Sequence, residues 1–95
     1  MSDLLSWPIK DPDEVLDYSI DWAARLPADD VILASVWEVP TGLSVNAETI
    51  DTEEFITTVW LSIGVSGATY KVINTITTQA GRVLQEAVQL TVRSL

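Results

Sequence analysis

The sequence predicts a single all-β domain: an immunoglobulin-like sandwich of two antiparallel sheets with six to seven short strands and an N-terminal arm. Turn-forming residues recur about every ten positions, and the segments between them are rich in Val, Ile, Thr and Trp, as in all-β domains. In several segments apolar and polar residues alternate, as expected for strands with one buried face. The 95 residues suit one such domain, which takes about 100.

The first twelve residues show no regular alternation. They contain Trp7, Pro8 and Pro12. We therefore expect an N-terminal arm at residues 1–12 and the sandwich domain at residues 13–95.

The first strand is predicted at residues 15–24, where every second residue is apolar and acids occupy the other face. Its inward residues are Leu16, Tyr18, Ile20 and Trp22. A helix starting at Asp13 is the alternative, because Asp-Glu-Val-Leu suits a first helical turn, but Pro27 and the strict alternation favour the strand.

The next two strands are predicted at residues 31–39 and 43–50, on either side of a Pro-Thr-Gly turn. The first of them would place one set of residues inward: Val31, Leu33, Ser35, Trp37 and Val39. The second alternates again from Leu43 and is predicted to be the return arm of a hairpin.

Three further strands are predicted at residues 55–63, 69–78 and 82–93. In the first, Phe55, Val59, Leu61 and Ile63 share one face, whereas Ile56 and Trp60 occupy the other. The inward pattern of the last two strands is interrupted by Asn74 and Glu86, respectively.

Gly67 followed by Tyr70 resembles the tyrosine corner of Greek-key sandwiches, in which the hydroxyl bonds to upstream backbone. A core tyrosine with its hydroxyl at the rim is the alternative.

Composition excludes several classes of function. The net charge of -9, from 14 acidic and 5 basic residues, would repel a phosphate backbone, so no nucleic-acid partner is expected. The apolar runs are far shorter than the roughly 20 residues that span a bilayer, and the N-terminus does not resemble a secretory signal, so we expect no membrane partner and cytoplasmic synthesis.

No enzymatic function is predicted. The chain has no cysteine and no histidine, which removes the usual nucleophile–base pairs and zinc ligands. Paired carboxylates could hydrolyse glycosides, but they need a cleft, and a sandwich of this size offers none. We therefore expect no catalytic residues and no cofactor.

The acidic residues near the N-terminus are the first candidates for a site. This acidic cluster consists of Asp11, Asp13, Glu14, Asp17 and Asp21, and the first three are interface candidates. Calcium would need six or more converging oxygens at a spacing that is absent here, so no metal is predicted. If these acids do not form an interface, the alternative is a solvated acidic face.

The four tryptophans divide into two pairs. Trp22 and Trp37 fall on apolar faces and are predicted to lie in the core. Trp7 in the arm and Trp60 on the opposite face of its strand are interface candidates, because exposed aromatic residues concentrate binding energy. For Trp60 the alternative is that both faces of its sheet are covered. The arm with Trp7 could provide such a cover within the chain, or could provide it on a neighbour's surface.

The run from Lys10 to Tyr18, Lys-Asp-Pro-Asp-Glu-Val-Leu-Asp-Tyr, resembles the opening of a family of small tailed-bacteriophage proteins, the fiber-tail adaptors. Further elements follow in the same order: Asp21-Trp22, Leu26, Asp30-Val31-Ile32, Ser35, Trp37, Gly42-Leu43, Thr58, Trp60-Leu61, Tyr70, Val72, Asn74, Ile76-Thr77-Thr78 and Gly81-Arg82. The resemblance covers about residues 9–93.

The resemblance implies a non-enzymatic structural protein of the phage or prophage tail, an adaptor that joins tail components by protein–protein contact. Its partners would be other phage tail proteins, with a homo-oligomeric ring as a further expectation. The protein would reside in the virion after a period in the host bacterial cytoplasm. A carbohydrate- or surface-binding immunoglobulin-like module is the alternative function.

Overall fold

The computed structural model describes residues 5–94, in which seven strands and one short 3-10 helix form a two-layer sandwich. The strands are β1 (Leu5–Ser6), β2 (Leu16–Asp21), β3 (Ile32–Glu38), β4 (Leu43–Asp51), β5 (Ile56–Ile63), β6 (Thr69–Thr78) and β7 (Val83–Thr91), and the helix, Ala23–Arg25, follows β2.

The two sheets have the orders β1-β7-β6-β3 and β2-β5-β4. Neighbouring strands are antiparallel, except that β1 runs parallel to β7. The immunoglobulin-like sandwich predicted from the sequence is confirmed, and the N-terminal segment supplies its seventh strand. The division of the chain at residue 12 stays a prediction, and residues 1–4 and 95, which it includes, lie outside the described part. No described helix has the length and apolar character to cross a membrane.

The core lies between the sheets and is filled by the inward residues of both. Of the inward residues predicted for the first strand, Tyr18, Ile20 and Trp22 are buried, and Leu16 is partly buried against the core. Trp37 is buried as predicted, whereas Ile63, predicted to share a face with Val59 and Leu61, is 52% exposed. The buried apolar side chains are Tyr18, Ile20, Trp22, Leu26, Ile32, Trp37, Leu43, Val59, Leu61, Tyr70, Val72, Ile76, Val88, Leu90 and Val92.

The inward set predicted for β3 is wrong in its first half. Leu33 is 61% exposed, whereas Ile32 is buried. The register with β6 shifts between Ile32 and Ala34, so Leu33 is an extra residue that inverts the alternation before it. Trp37 lies beyond the shift and keeps the predicted inward direction.

The predicted hairpin between β3 and β4 is also wrong. β4 pairs with β5 in the other sheet, and the turn at Pro40-Thr41-Gly42 carries the chain across the sandwich. Gly42 has φ +112°, and a Cβ there would lie 2.9 Å from the Tyr70 hydroxyl, so this crossing requires glycine.

Asn74 and Glu86, which interrupt the inward pattern, have polar partners. The buried Asn74 accepts a hydrogen bond from Thr57 Oγ1 (2.6 Å) and donates to Ser35 Oγ (2.8 Å). Thr57 in turn accepts from Trp22 Nε1 at 3.0 Å. Glu86 pairs with Arg25 at 3.0 Å near the sandwich edge. The Asn74 network joins the two sheets through buried polar groups that are all satisfied.

The tyrosine corner is present. The amide of Val65 donates a hydrogen bond of 2.9 Å to the hydroxyl of Tyr70, five residues downstream. The bond ties the loop after β5 to the start of β6.

Candidate functional site

Trp7 lies across the side of the sandwich where β7 and β2 face each other. Its amide donates to Gln89 O (3.0 Å), and its indole Nε1 donates to Ser19 O (3.3 Å). The half-buried ring stacks on Tyr18 at a centroid distance of 4.7 Å and lies 6.0 Å from Trp37. Trp7 therefore closes this side of the core of its own chain.

Lys10 is fully buried, although a charged residue in an arm would be expected in solvent. Its Nζ donates hydrogen bonds to Ile63 O (2.6 Å) and Asp11 O (2.8 Å), and its backbone bonds to Thr91 and Arg93. Burial lowers the pKa of Lys10, although the nearby acids, Glu14 first among them, oppose the shift. The residue joins the arm to the last residue of β5.

The acceptor Ile63 has an unusual backbone. Its φ is +58°, a conformation that β-branched residues rarely adopt. At the other end of β5, Phe55 has φ +59°, and its carbonyl accepts from the Trp22 amide at 2.8 Å. Lys10 and Trp22 thus hold the two strained ends of the central strand of the three-stranded sheet.

The acids beside Lys10 form a tight turn. Glu14 N donates to Asp11 O (3.0 Å), and Asp11 N donates to Glu14 Oε1 (2.9 Å). Asp11 Oδ1 accepts from the amide of Asp13 at 2.8 Å, while the Asp13 side chain is exposed. The described residues contain no group of three or more His, Cys, Asp or Glu suited to a metal ion. We call Trp7, Lys10, Asp11 and Glu14 the N-terminal lock.

Trp60 points away from the core, as the alternation in β5 predicts. The face of the sheet on which it lies is uncovered, and the residue is 38% exposed. It lies at the middle strand of the β2-β5-β4 sheet, whose outward side we call the Trp60 face. Strand register arranges this face in three rows across β2, β5 and β4: Asp17–Trp60–Ala47, Ser19–Thr58–Thr49 and Asp21–Ile56–Asp51.

The charges of the Trp60 face are all negative. Asp17, Asp21 and Asp51 lie on it, and none of the five basic residues, all within the described range, does. Asp21 and Asp51 accept hydrogen bonds from nearby backbone amides. The exposed Asp17 carboxylate has no hydrogen bond or ion pair with any described residue. An exposed indole and an unpaired carboxylate thus lie directly opposite each other.

The outward side of the other sheet is different. It presents Thr, Gln, Val, Ala and Ile from β3, β6 and β7, and among the described residues only Glu38 and Lys71 on it are charged. Leu33, Val36 and Val83 are its most exposed apolar residues. This surface is therefore nearly neutral, in contrast to the Trp60 face.

A surface depression lies near the end of β6 and is lined by Asp29, Asp30, Gln79, Ala80 and Arg82. Asp30 and Arg82 form an ion pair of 2.6 Å there. Burial alone would raise the pKa of Asp30, but hydrogen bonds, that from Thr78 the largest among them, lower it to about 2. The ion pair fixes the β6–β7 turn. Because its two side chains are engaged with each other, neither is free to act as a catalytic group.

The structure separates the five interface residues predicted from the sequence. Trp7, Asp11 and Glu14 are engaged in the lock, Asp13 is exposed beside it, and Trp60 lies on a different surface. Sequence reasoning missed Asp17 as a neighbour of Trp60, because only strand register brings them together. Sequence reasoning also missed the burial of Lys10.

Comparisons with known proteins agree with this architecture. Residues 10–91 match the family model described as podophage GP4 fiber-tail adaptor protein gp77. The solution structure of the PKD domain from KIAA 1837 protein is similar with a TM-score of 0.53 and 21% identity, covering 93% of this chain and 82% of that chain. At that identity the likeness shows the fold alone. No curated protein sequence matches the chain significantly.

Proposed function

This chain belongs to the podophage GP4 fiber-tail adaptor family, a family of structural phage tail proteins, and we propose that it joins tail components by direct protein–protein contact. The proposed role is non-enzymatic. The protein would act in the virion after synthesis in the host bacterial cytoplasm, with other tail proteins as partners and a homo-oligomeric ring as the arrangement of its copies.

The observation that supports this role best is the exposed Trp60 on a sheet face that nothing in the described chain covers. Interface energy concentrates in tryptophan, tyrosine and arginine near the centre of a contact. Trp60 stands on the middle strand among small neighbours, so a partner could cover the indole completely. We therefore propose Trp60 as the centre of the contact.

The other predicted interface residues take second place in this proposal. Trp7, Asp11 and Glu14 already serve the fold through contacts within the chain. Asp13 is exposed and adjoins the lock, so it is the acid of this group that a partner could reach. Residues 1–12 would act as an arm that is folded back onto the sandwich from residue 5 onward.

The experiment is complementation of a phage or prophage that lacks this gene with Trp60→Ala supplied in trans. Loss of a central tryptophan contact should reduce incorporation into purified particles by about tenfold or more, measured by quantitative immunoblotting. Val36→Ala, on the nearly neutral face of the other sheet, is the matched control and should be incorporated normally. Normal incorporation of Trp60→Ala would refute the proposed contact.

A carbohydrate- or surface-binding module is the second candidate, favoured by the same exposed tryptophan on a flat sheet. Binding of the purified protein to a glycan array, abolished by Trp60→Ala, would support it. In that case incorporation of the variant into particles would be normal.

A further inference from the structure

We infer that the Trp60 face binds an arginine-bearing segment of another tail protein, with the guanidinium stacked on Trp60 and paired with the carboxylate of Asp17. This inference rests on the proposed function, and it adds the chemistry of the partner.

The positions of the Asp17 and Trp60 side chains suit a single arginine. Asp17 on β2 and Trp60 on β5 are paired directly across antiparallel strands, so their Cβ atoms lie about 5 Å apart on the same face. A guanidinium is planar, stacks on indole and forms paired hydrogen bonds with carboxylate. One arginine side chain can therefore contact both groups, which a neutral side chain cannot do.

Both side chains are also available to a partner. Asp17 is exposed and unpaired within the described chain, and Trp60 is partly exposed. The cross-strand neighbour of Trp60 on the other side is Ala47, which is too small to cover the ring. Arg25 illustrates the same chemistry elsewhere in this chain, since its guanidinium lies 5.4 Å from the Trp22 ring and pairs with Glu86.

The charge of the face favours a basic partner. The whole face is negative, and the chain carries a net charge of -9, so a basic partner is attracted and an acidic one repelled. A second copy is a poor source of the arginine. Arg25 and Arg82 are paired with acids of their own chain, so Arg93 is the arginine that a copy would offer, and repulsion between two chains of charge -9 opposes its approach.

The third row of the face predicts the separation between two arginines of the partner segment. Asp21 and Asp51 flank Ile56, four positions along β5 from Trp60. At the rise of a strand the two rows lie about 13 Å apart. An extended segment with arginines four positions apart would contact both rows.

The first test is an NMR titration of the 15N-labelled protein with a blocked seven-residue peptide, Gly-Arg-Ala-Ser-Ala-Arg-Gly, and its glutamine and lysine analogues. The arginine peptide should shift the Trp60 indole signal and the amides near Asp17 more strongly than the lysine peptide, and the glutamine peptide should not shift them. Asp17→Asn should weaken the effect about threefold or more, and Trp60→Ala should abolish the shifts near Asp17. Equal shifts with the glutamine peptide, or shifts confined to the acidic loop at residues 51–54, would overturn the inference.

The second test uses particle assembly and separates this inference from the proposed function. Asp17→Lys should lose incorporation, whereas Glu38→Lys, the same charge change on the opposite face, should not. If Trp60→Ala loses incorporation while Asp17→Lys and Asp17→Asn are incorporated normally, the arginine partner is refuted and the adaptor role stands. A dimer in analytical ultracentrifugation that both Trp60→Ala and Asp17→Lys abolish would identify a second copy as the occupant and overturn the inference.

Discussion

The N-terminal lock and the Trp60 face each combine a tryptophan with carboxylates, but their side chains have opposite roles. In the lock, Trp7 stacks on Tyr18, and the carboxylate of Glu14 accepts from a backbone amide of its own turn. On the face, Trp60 is open on one side, and Asp17 has no partner in the described chain. Residue type therefore does not distinguish the proposed binding surface from the structural element. The contacts that each side chain makes within its own chain do distinguish them.

The same comparison places the run from Lys10 to Tyr18 mainly in the first of the two regions. The run from Lys10 to Tyr18 contains most of the lock, with the buried lysine, the acidic turn and the tyrosine beneath Trp7. Asp17 is the member of this run that belongs to the Trp60 face. The motif thus mainly specifies how the arm is attached to the sandwich.

The largest loss of unfolding free energy should follow from replacing Lys10 in the N-terminal lock. Lys10→Met keeps the aliphatic stem but leaves two carbonyls without their donor, which should lower the unfolding free energy by about 2–3 kcal/mol. Urea denaturation measures this change. Lys71→Met, on an exposed position, is the control and should stay within about 0.5 kcal/mol. Equal stabilities of the two variants would mean that Lys10 does not lock the arm.

A smaller loss of unfolding free energy should follow from removing an acid of the lock, and almost none from removing an acid of the Trp60 face. Glu14→Ala removes the acceptor of the Asp11 amide and should cost about 1 kcal/mol. Asp17→Ala removes a carboxylate with no described partner, and its unfolding free energy should stay within about 0.5 kcal/mol of wild type. The reverse order would show that the turn is not held by its carboxylate.

The smallest effect is a dependence on pH that only the lock should show. Because burial lowers the pKa of Lys10 below its unfolded value of 10.5, the unfolded state binds more protons between the two pKa values, and stability rises with pH there. The advantage of wild type over Lys10→Met should therefore grow from pH 8 to pH 10.5. Burial raises the pKa of Tyr18 to about 12, an effect common to both proteins. A constant difference across this range would contradict the assignment.

The sequence was sufficient for the fold class, the core tryptophans and the outward direction of Trp60, because these depend on alternation within single strands. It failed where alternation is broken or where strands must be paired. The extra residue at Leu33 inverts the faces before it, and the glycine at position 42 allows a crossing where a hairpin was expected.

The errors at the candidate site have the same physical origin. The acceptor of the Lys10 ammonium is the carbonyl of Ile63, 53 positions away, and only the folded chain brings it there. Asp17 becomes a neighbour of Trp60 through the register of β2 with β5. Trp7 covers part of its own chain, which was one of the two alternatives for the arm. It covers the core at Tyr18, however, and not the Trp60 face.

The most direct test of the account measures the same two quantities on Trp7→Ala and Trp60→Ala: the unfolding free energy of the purified protein and its incorporation into particles. Trp7→Ala should lose about 2 kcal/mol or more of stability, because it uncovers the core between β7 and β2. Trp60→Ala should lose less than about 1 kcal/mol yet fail to be incorporated. A stable Trp7→Ala protein that is not incorporated, together with a normally incorporated Trp60→Ala protein, would contradict the assignment of the two regions.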